Sequence, residues 1–67
     1  MNKFAEKLKE LRLDAGLSQR DLAKALNVSQ PAIAHWEASL QIPNIEVVVA
    51  VAKFFDVSTD YLLGLEE

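Results

Sequence analysis

The sequence contains a single histidine, His35, and no cysteine, so few of its side chains are suited to catalysis or metal binding. Without cysteine, disulfide bonds and thiolate zinc sites are excluded. A histidine that works as a general base needs a nucleophile or a carboxylate beside it and a pocket around it, and no such partner is spaced to work with His35. A chain of 67 residues is also too short to build that pocket. We therefore expect no enzymatic activity, no metal or other cofactor, and no small-molecule substrate.

Hydrogen-bonding side chains are concentrated instead in two short segments, Ser18-Gln19 and Ser29-Gln30. Each serine precedes a stretch with helical apolar spacing, which is typical of an N-cap whose hydroxyl accepts from free backbone N–H groups. Asp21 follows Ser18 by three residues and completes a capping box. The two glutamines are therefore expected in the first turns of two successive helices.

The composition describes one small folded domain over residues 1–67, with 51% hydrophobic and 25% charged residues. A chain of this length buries only about 60% of the surface that its unfolded form exposes, so one core is the most it can form. The longest apolar run, residues 47–52, is far shorter than the ~20 residues of a membrane span. The start of the chain does not have the pattern of a signal peptide. We expect a soluble, cytoplasmic protein that does not bind membranes.

The net charge of −3 is unevenly distributed along the chain. Residues 1–36 contain six basic and four acidic residues, whereas residues 37–67 contain one basic and six acidic residues. Non-specific affinity for nucleic acid comes from neutralising phosphates, so a net acidic chain binds polyanions weakly in general. Any contact with DNA must therefore be local.

Apolar spacing and capping residues predict an all-α, five-helix domain with short connections. Helix one starts at Asn2 or Lys3 and ends at Asp14, before Gly16, which suits a left-handed position. The next three helices are expected at about residues 19–26, 30–38 and 45–55, and a last short helix follows the cap at Ser58. Pro31 falls in the first turn of helix three, where its missing N–H has no helical partner to lose.

One segment also fits a buried strand, because residues 47–51 are rich in β-branched side chains. No other segment offers a strand to pair with it, and Pro43-Asn44 before it is typical of a helix start. The length of the apolar stretch also favours a helix. We therefore predict a helix here.

The segment LSQRDLAKALNVSQPAIAHWE at residues 17–37 resembles the helix-turn-helix of the phage lambda repressor/Cro-type (XRE-like) transcriptional regulators. The similarity extends to LKELR at residues 8–12 and to VSTDYLLG at residues 57–64, so it covers almost the whole chain. It implies a helix-turn-helix at about residues 18–38, in which helix three enters the DNA major groove and helix two lies across the phosphates. The implied function is sequence-specific binding of double-stranded DNA by a transcriptional regulator, with a repressor as the favoured type.

The resemblance also implies roles for individual side chains. Gln30, at the start of helix three, is the candidate for reading a base, since an amide can bond an adenine edge through two atoms. Gln19 is expected to touch a phosphate while bracing helix three, and Arg12 and Glu37 are expected to form an internal ion pair. The complete set of candidate DNA contacts is Ser18, Gln19, Ser29, Gln30, Pro31, Ala32, Ala34, His35, Ser39 and Asn44.

Several of these residues also have simpler interpretations. His35 and the two glutamines fit an ordinary polar surface, and Trp36 is expected in the core beside Ile33 rather than as a stacking platform. The turn after helix three, ASLQ at residues 38–41, lacks the glycine and the basic residue usual in the family, which predicts weak binding by a monomer. The alternative function is a protein-interaction module of the same fold, such as an antitoxin-like or regulatory partner domain.

Helix four carries only two charged residues, Glu46 and Lys53, and is apolar on nearly all sides. The family's core positions fall on Ile45, Val48, Val49, Val51, Ala52 and Phe55. Val47, Ala50 and Phe54 are then expected to form a second, outward stripe, which is typical of a partner surface. We predict a homodimer through this stripe, with two recognition helices about one DNA turn (~34 Å) apart on a palindromic operator. The alternative is that the last helix folds over the stripe and hides it.

Overall fold

The structure, a computed structural model, describes residues 2–66. These residues form five α-helices joined by short loops. They are α1 (Lys3–Asp14), α2 (Gln19–Leu26), α3 (Gln30–Glu37), α4 (Ile45–Phe55) and α5 (Thr59–Leu62). The predicted all-α fold is confirmed, and residues 47–51 are helical as expected. Among the helices of residues 2–66, none has both the length and the apolar character that crossing a membrane requires.

Every helix begins after an asparagine or a serine whose side-chain oxygen accepts a hydrogen bond from the backbone N–H three residues later. These N-caps are Asn2, Ser18, Ser29, Asn44 and Ser58. At Ser18 the bonding is reciprocal: the Asp21 N–H donates to Ser18 Oγ and the Ser18 N–H donates to Asp21 Oδ2, both at 3.0 Å. An N-cap of this kind stabilises a helix by about 0.5–2 kcal/mol, so these five positions determine where the helices start.

A residue with left-handed backbone conformation follows each helix. These residues are Gly16, Asn27, Ser39, Asp56 and Gly64, with φ between 56° and 76°. Asparagine and aspartate tolerate this conformation better than most non-glycine residues. Ser39 occupies the turn in which glycine is usual in the family that the sequence resembles, and its Oγ accepts a hydrogen bond of 3.2 Å from the backbone N–H of Asn2. The turn after α3 is therefore formed without glycine and is bonded to the start of α1.

The core receives one large, completely buried side chain from each helix. These side chains are Leu8, Leu22, Ile33, Val51 and Leu62. Burying an aliphatic side chain of this size stabilises a fold by about 1.5–3 kcal/mol. Trp36 also lies in the core, with only 7% of its surface exposed, as the sequence predicted. The core therefore fixes α2 and α3 against the other three helices.

The rotation of α4 differs from the sequence prediction at three positions. Its core-facing line consists of Val48, Val51, Ala52 and Phe55. Ile45 and Val49, predicted as core residues, are 78% and 37% exposed. Val47, predicted on the outward stripe, is half-buried and packs against the core. The reason is that residues 48, 51, 52 and 55 follow the i, i+3, i+4, i+7 spacing of one helix face, which leaves residue 45 beyond the end of the core and residues 47 and 49 on its two edges.

The exposed apolar residues of α4 consequently form two separate stripes. With 3.6 residues per turn, Ile45 and Val49 lie on one flank of the helix, and Ala50 and Phe54 lie on the other. Glu46 and Lys53 are exposed between them. Phe54 is 45% exposed, so α5 does not fold over its stripe completely.

Candidate nucleic-acid interface

The turn between α2 and α3 is short because Asn27 reverses the chain in a single residue. Asn27 has φ 57° and ψ 45°, and its N–H bonds the last turn of α2. Val28 then packs against the core, and Ser29 caps α3 through the N–H of Ala32. These local interactions fix the angle at which α3 leaves α2, and they form the helix-turn-helix predicted at about residues 18–38.

α3 has one buried side and one exposed side. Ile33, Trp36 and Glu37 are buried. Of the candidate DNA contacts on this helix, Gln30, Pro31 and His35 are exposed and Ala34 is half-buried. The exposed side therefore begins at the helix N-terminus, the end that meets base edges in helix-turn-helix proteins.

Ala32 does not lie on the exposed side as predicted. It is half-buried and packs against the core. The reason is its spacing: Ala32 precedes Trp36 by four residues, and residues four apart share a helix face. Its predicted outward placement is thus wrong, and Ala32 lies at the edge of the core.

The two candidate glutamines bond to each other across α2 and α3. Gln30 Nε2 donates to Gln19 Oε1 at 2.8 Å, and Gln19 Nε2 donates to Glu37 Oε1 at 3.2 Å. Gln30 is exposed and Gln19 is half-buried. This contact supplies the bracing of helix three that was predicted for Gln19. That Glu37 joins the same network was not predicted, because Gln19 lies 11 positions from Gln30 and 18 positions from Glu37 along the chain.

The predicted ion pair of Arg12 and Glu37 is present beneath this surface. Two hydrogen bonds join the guanidinium to the carboxylate, and a third runs from Arg12 Nη1 to the carbonyl oxygen of Leu17 at 2.9 Å. The hydrogen bond with Glu37 raises the pKa of Arg12 above its ordinary value. The pair therefore connects α1, α3 and the residue before the cap of α2.

The remaining polar candidates are engaged in caps and turns, which defines what they can still offer a ligand. Ser18, Ser29 and Ser39 each accept a backbone hydrogen bond through Oγ, so each hydroxyl keeps its own O–H as a donor. Asn44 accepts from the Val47 N–H through Oδ1 at 2.9 Å and keeps both hydrogens of its amide nitrogen. All four side chains can donate to an anionic oxygen without losing their structural bonds.

Arg20 was not among the site residues predicted from the sequence. Ser18, Arg20 and Gln30 line an open groove of about 410 Å³, and Arg20 is exposed. The groove therefore places a guanidinium next to the amide of Gln30. One feature of the sequence could have identified Arg20 as a candidate: it directly follows Gln19 in the first turn of α2.

The chain matches the family model described as Helix-turn-helix over residues 8–62. The HTH-type transcriptional activator BcrR of Enterococcus faecalis is 45% identical over 64 residues, which cover 96% of this chain and 31% of that protein. The HTH-type transcriptional regulator ImmR of Bacillus subtilis (strain 168) is 34% identical over 64 residues, which cover 96% of this chain and 50% of that protein. The chain thus spans half or less of the length of these two curated relatives.

Solved structures share the fold. The P22 c2 repressor protein in complex with synthetic operator 9T aligns with a TM-score of 0.86 at 35% identity, over 94% of this chain and 96% of that chain. Because the family model spans most of the chain and the arrangement of α2 and α3 agrees with it, the chain belongs to the helix-turn-helix family, among the phage lambda repressor/Cro-type (XRE-like) regulators.

Proposed function

We propose that this chain is a sequence-specific double-stranded DNA-binding regulator of transcription that reads the major groove with α3. The observation that carries the proposal is the hydrogen-bonded amide pair of Gln19 and Gln30 at the starts of α2 and α3. Gln30 occupies the end of α3 from which helix-turn-helix proteins contact bases. The likeness to a repressor bound to a synthetic operator supports the same mode of binding.

Phosphate contacts position the protein on the duplex. Gln19, with one N–H of its amide still available, and the N–H groups at the start of α2 favour an anion at that end of the helix. The free donors of Ser18, Ser29, Ser39 and Asn44 suit the same task on either flank of α3. Contacts of this kind hold the register of the protein without reading sequence.

Three further residues of α3 supplement the reading by Gln30. His35 is exposed and has a ring N–H to donate to a guanine or a phosphate. Pro31 and Ala34 offer apolar contact, for example to a thymine methyl group. Together with Gln30 they form a surface with few charges, so sequence preference depends on hydrogen bonds and shape more than on attraction to phosphate.

We further propose that the regulator acts in the cytoplasm as a repressor. Blocking a promoter requires only occupation of an operator, and the DNA contacts proposed above are sufficient for that.

We also propose that the chain binds as a homodimer, which the exposed stripe on α4 supports. Ala50 and Phe54 are exposed, and Val47, which is half-buried, lies at the edge of the stripe that they form. A two-fold interface here pairs two recognition helices and matches a palindromic operator. Doubling the contacts also compensates for the net negative charge.

The exposed apolar residues of the loop before α4 favour a second candidate function. Leu40 and Ile42 are 72% and 78% exposed, and an apolar surface of this kind suits a protein partner. A protein-interaction module of the same fold, without DNA binding, would use this loop.

A gel-shift measurement with salt titration distinguishes the two functions. Duplexes selected from a random pool are compared with unselected ones. We expect selected duplexes to bind about 10³-fold more tightly or better. The logarithm of the binding constant is expected to fall linearly with the logarithm of the salt concentration. Equal binding to all duplexes, or no binding to any duplex, would contradict the proposal and would favour the protein-interaction module.

A further inference from the structure

A continuous chain of hydrogen bonds links the buried carboxylate of Glu37 to the exposed amide of Gln30 through Gln19. We infer that Glu37 is a positioning residue that sets the orientation of the Gln30 amide and so makes it prefer adenine over guanine. The inference rests on the proposed function, since it concerns how Gln30 reads a base.

The orientation begins at Glu37, because a carboxylate can only accept hydrogen bonds. Its two oxygens already accept from Arg12 Nε and Nη2, at 2.6 Å and 3.0 Å. Gln19 must therefore approach with its nitrogen, and its Nε2 lies 3.2 Å from Glu37 Oε1. The carbonyl oxygen of the Gln19 amide is consequently turned towards Gln30.

Gln30 then has one way to bond Gln19. Facing a carbonyl oxygen, it must donate, and its Nε2 lies 2.8 Å from Gln19 Oε1. One N–H of the Gln30 amide is used, which leaves one N–H donor and the Oε1 acceptor for DNA. Adenine presents an acceptor, N7, beside a donor, the N6 amino group, whereas guanine presents two acceptors, N7 and O6. The remaining edge of Gln30 is complementary to adenine and places an oxygen against an oxygen of guanine.

Replacing Glu37 by glutamine should reverse the orientations of the Gln19 and Gln30 amides. The shortest bond of the ion pair, from Arg12 Nε to Oε2, requires an oxygen in the new amide at that point. The new NH₂ group then takes the place of Oε1, where it gives up the longer bond from Arg12 Nη2 and faces Gln19. Gln19 must then present its oxygen to position 37 and its nitrogen to Gln30. Gln30 bonds that nitrogen through Oε1 and keeps both N–H donors for DNA, the pattern that guanine accepts.

The test measures dissociation constants on four duplexes that differ only at the base pair read by Gln30. That base pair is first identified as the one at which Gln30→Ala loses its preference. Wild type should prefer adenine over guanine by roughly 5- to 150-fold, the discrimination of one bidentate contact. Glu37→Gln should lower or invert this ratio. Glu46→Gln, the same change at an exposed carboxylate on α4, should leave the ratio at its wild-type value.

A second variant covers the case in which Glu37→Gln fails to fold. Arg12→Met/Glu37→Met replaces the whole pair by apolar side chains of similar length, a change that folds often tolerate. With no carboxylate to orient Gln19, both amides can turn over, and the ratio of adenine to guanine binding should approach one.

Folded variants that keep the wild-type ratio would overturn the positioning role of Glu37, even where Gln30→Ala shows that Gln30 reads the base. A wild-type protein with no preference at any base pair would instead overturn the proposed function, and this inference with it. A purely structural role for Glu37 predicts equal loss of affinity on all four duplexes, so it also contradicts the inference.

Discussion

The guanidinium of Arg12 and the carboxylate of Glu37 form a two-point hydrogen-bonded ion pair, with Nε to Oε2 at 2.6 Å and Nη2 to Oε1 at 3.0 Å. Both side chains are nearly inaccessible, at 10% and 4% exposure. Gln19 also bonds this carboxylate. The pair therefore connects the core of the fold directly to the surface proposed to meet DNA.

Removing Glu37 alone should destabilise the fold more than removing both partners. Glu37→Ala leaves the Arg12 guanidinium buried without its carboxylate, which costs about 3–5 kcal/mol. Arg12→Met/Glu37→Met removes both charges and should cost far less. Urea denaturation of the three proteins measures the difference. Small and equal effects for all the variants would mean that the pair does not stay together in solution.

The capping box of α2 should make stability depend on acid. The hydrogen bond from the backbone N–H of Ser18 lowers the pKa of Asp21 below its ordinary value of 3.8. A lowered pKa in the folded state means that the contribution is complete above the unfolded value and is lost as the pH falls through the folded value. Denaturation midpoints measured from pH 6 to pH 2 should therefore fall less steeply for Asp21→Ala than for wild type.

Asp14→Ala is the control for that series, because it removes an exposed carboxylate at the opposite end of a helix. It should keep the acid dependence of wild type. Parallel curves for wild type and Asp21→Ala would show that the capping box does not contribute to the acid dependence.

Arg20 should contribute one phosphate contact. Arg20→Ala is expected to weaken binding to every duplex alike and to reduce the slope of log K against log salt by about 0.9. Arg20→Lys should keep most of the slope, because the charge is retained. Lys53→Ala, which removes a charge from the last turn of α4, should leave the slope almost unchanged. An identical slope for Arg20→Ala and wild type would exclude the contact.

Dimerisation should depend on the Ala50–Phe54 stripe of α4. We expect sedimentation to show a dimer at micromolar concentration and Phe54→Lys to give a folded monomer that binds the operator poorly. Ile45→Lys is the matched control on the opposite flank, and its side chain is the more exposed of the two, so it should remain dimeric. A wild-type chain that stays monomeric at high concentration, both free and on DNA, would contradict the proposal.

The starts of the helices could be predicted from sequence because the signals that set them are local. Ser18, Ser29 and Ser58 each bond a backbone N–H three residues away, and this spacing can be read directly from the chain. The turn residue Asn27 acts over the same short range. The five-helix order followed from these signals.

The rotation of α4 could not be predicted in the same way. A helix that is apolar on nearly all sides has several faces that could be buried, and only its neighbours decide between them. Ile45 and Val49 were therefore predicted in the core but are exposed, and Val47 was predicted on the outward stripe but is half-buried. Cross-helix contacts such as the bond from Gln19 to Glu37 depend on side-chain rotamers on two elements, which the spacing along the chain does not encode.

Gln30 is proposed to read sequence while Gln19 holds register. Binding of Gln30→Ala to a selected duplex and its single-base variants tests this division of roles most directly. We expect Gln30→Ala to lose about 1–3 kcal/mol on the selected duplex and to lose its preference at one base pair. Gln19→Ala should weaken binding to all the duplexes through its lost phosphate contact, and it should change selectivity only at the base pair read by Gln30, whose amide it orients. If Gln30→Ala binds every duplex as tightly and as selectively as the parent does, α3 is not the recognition helix.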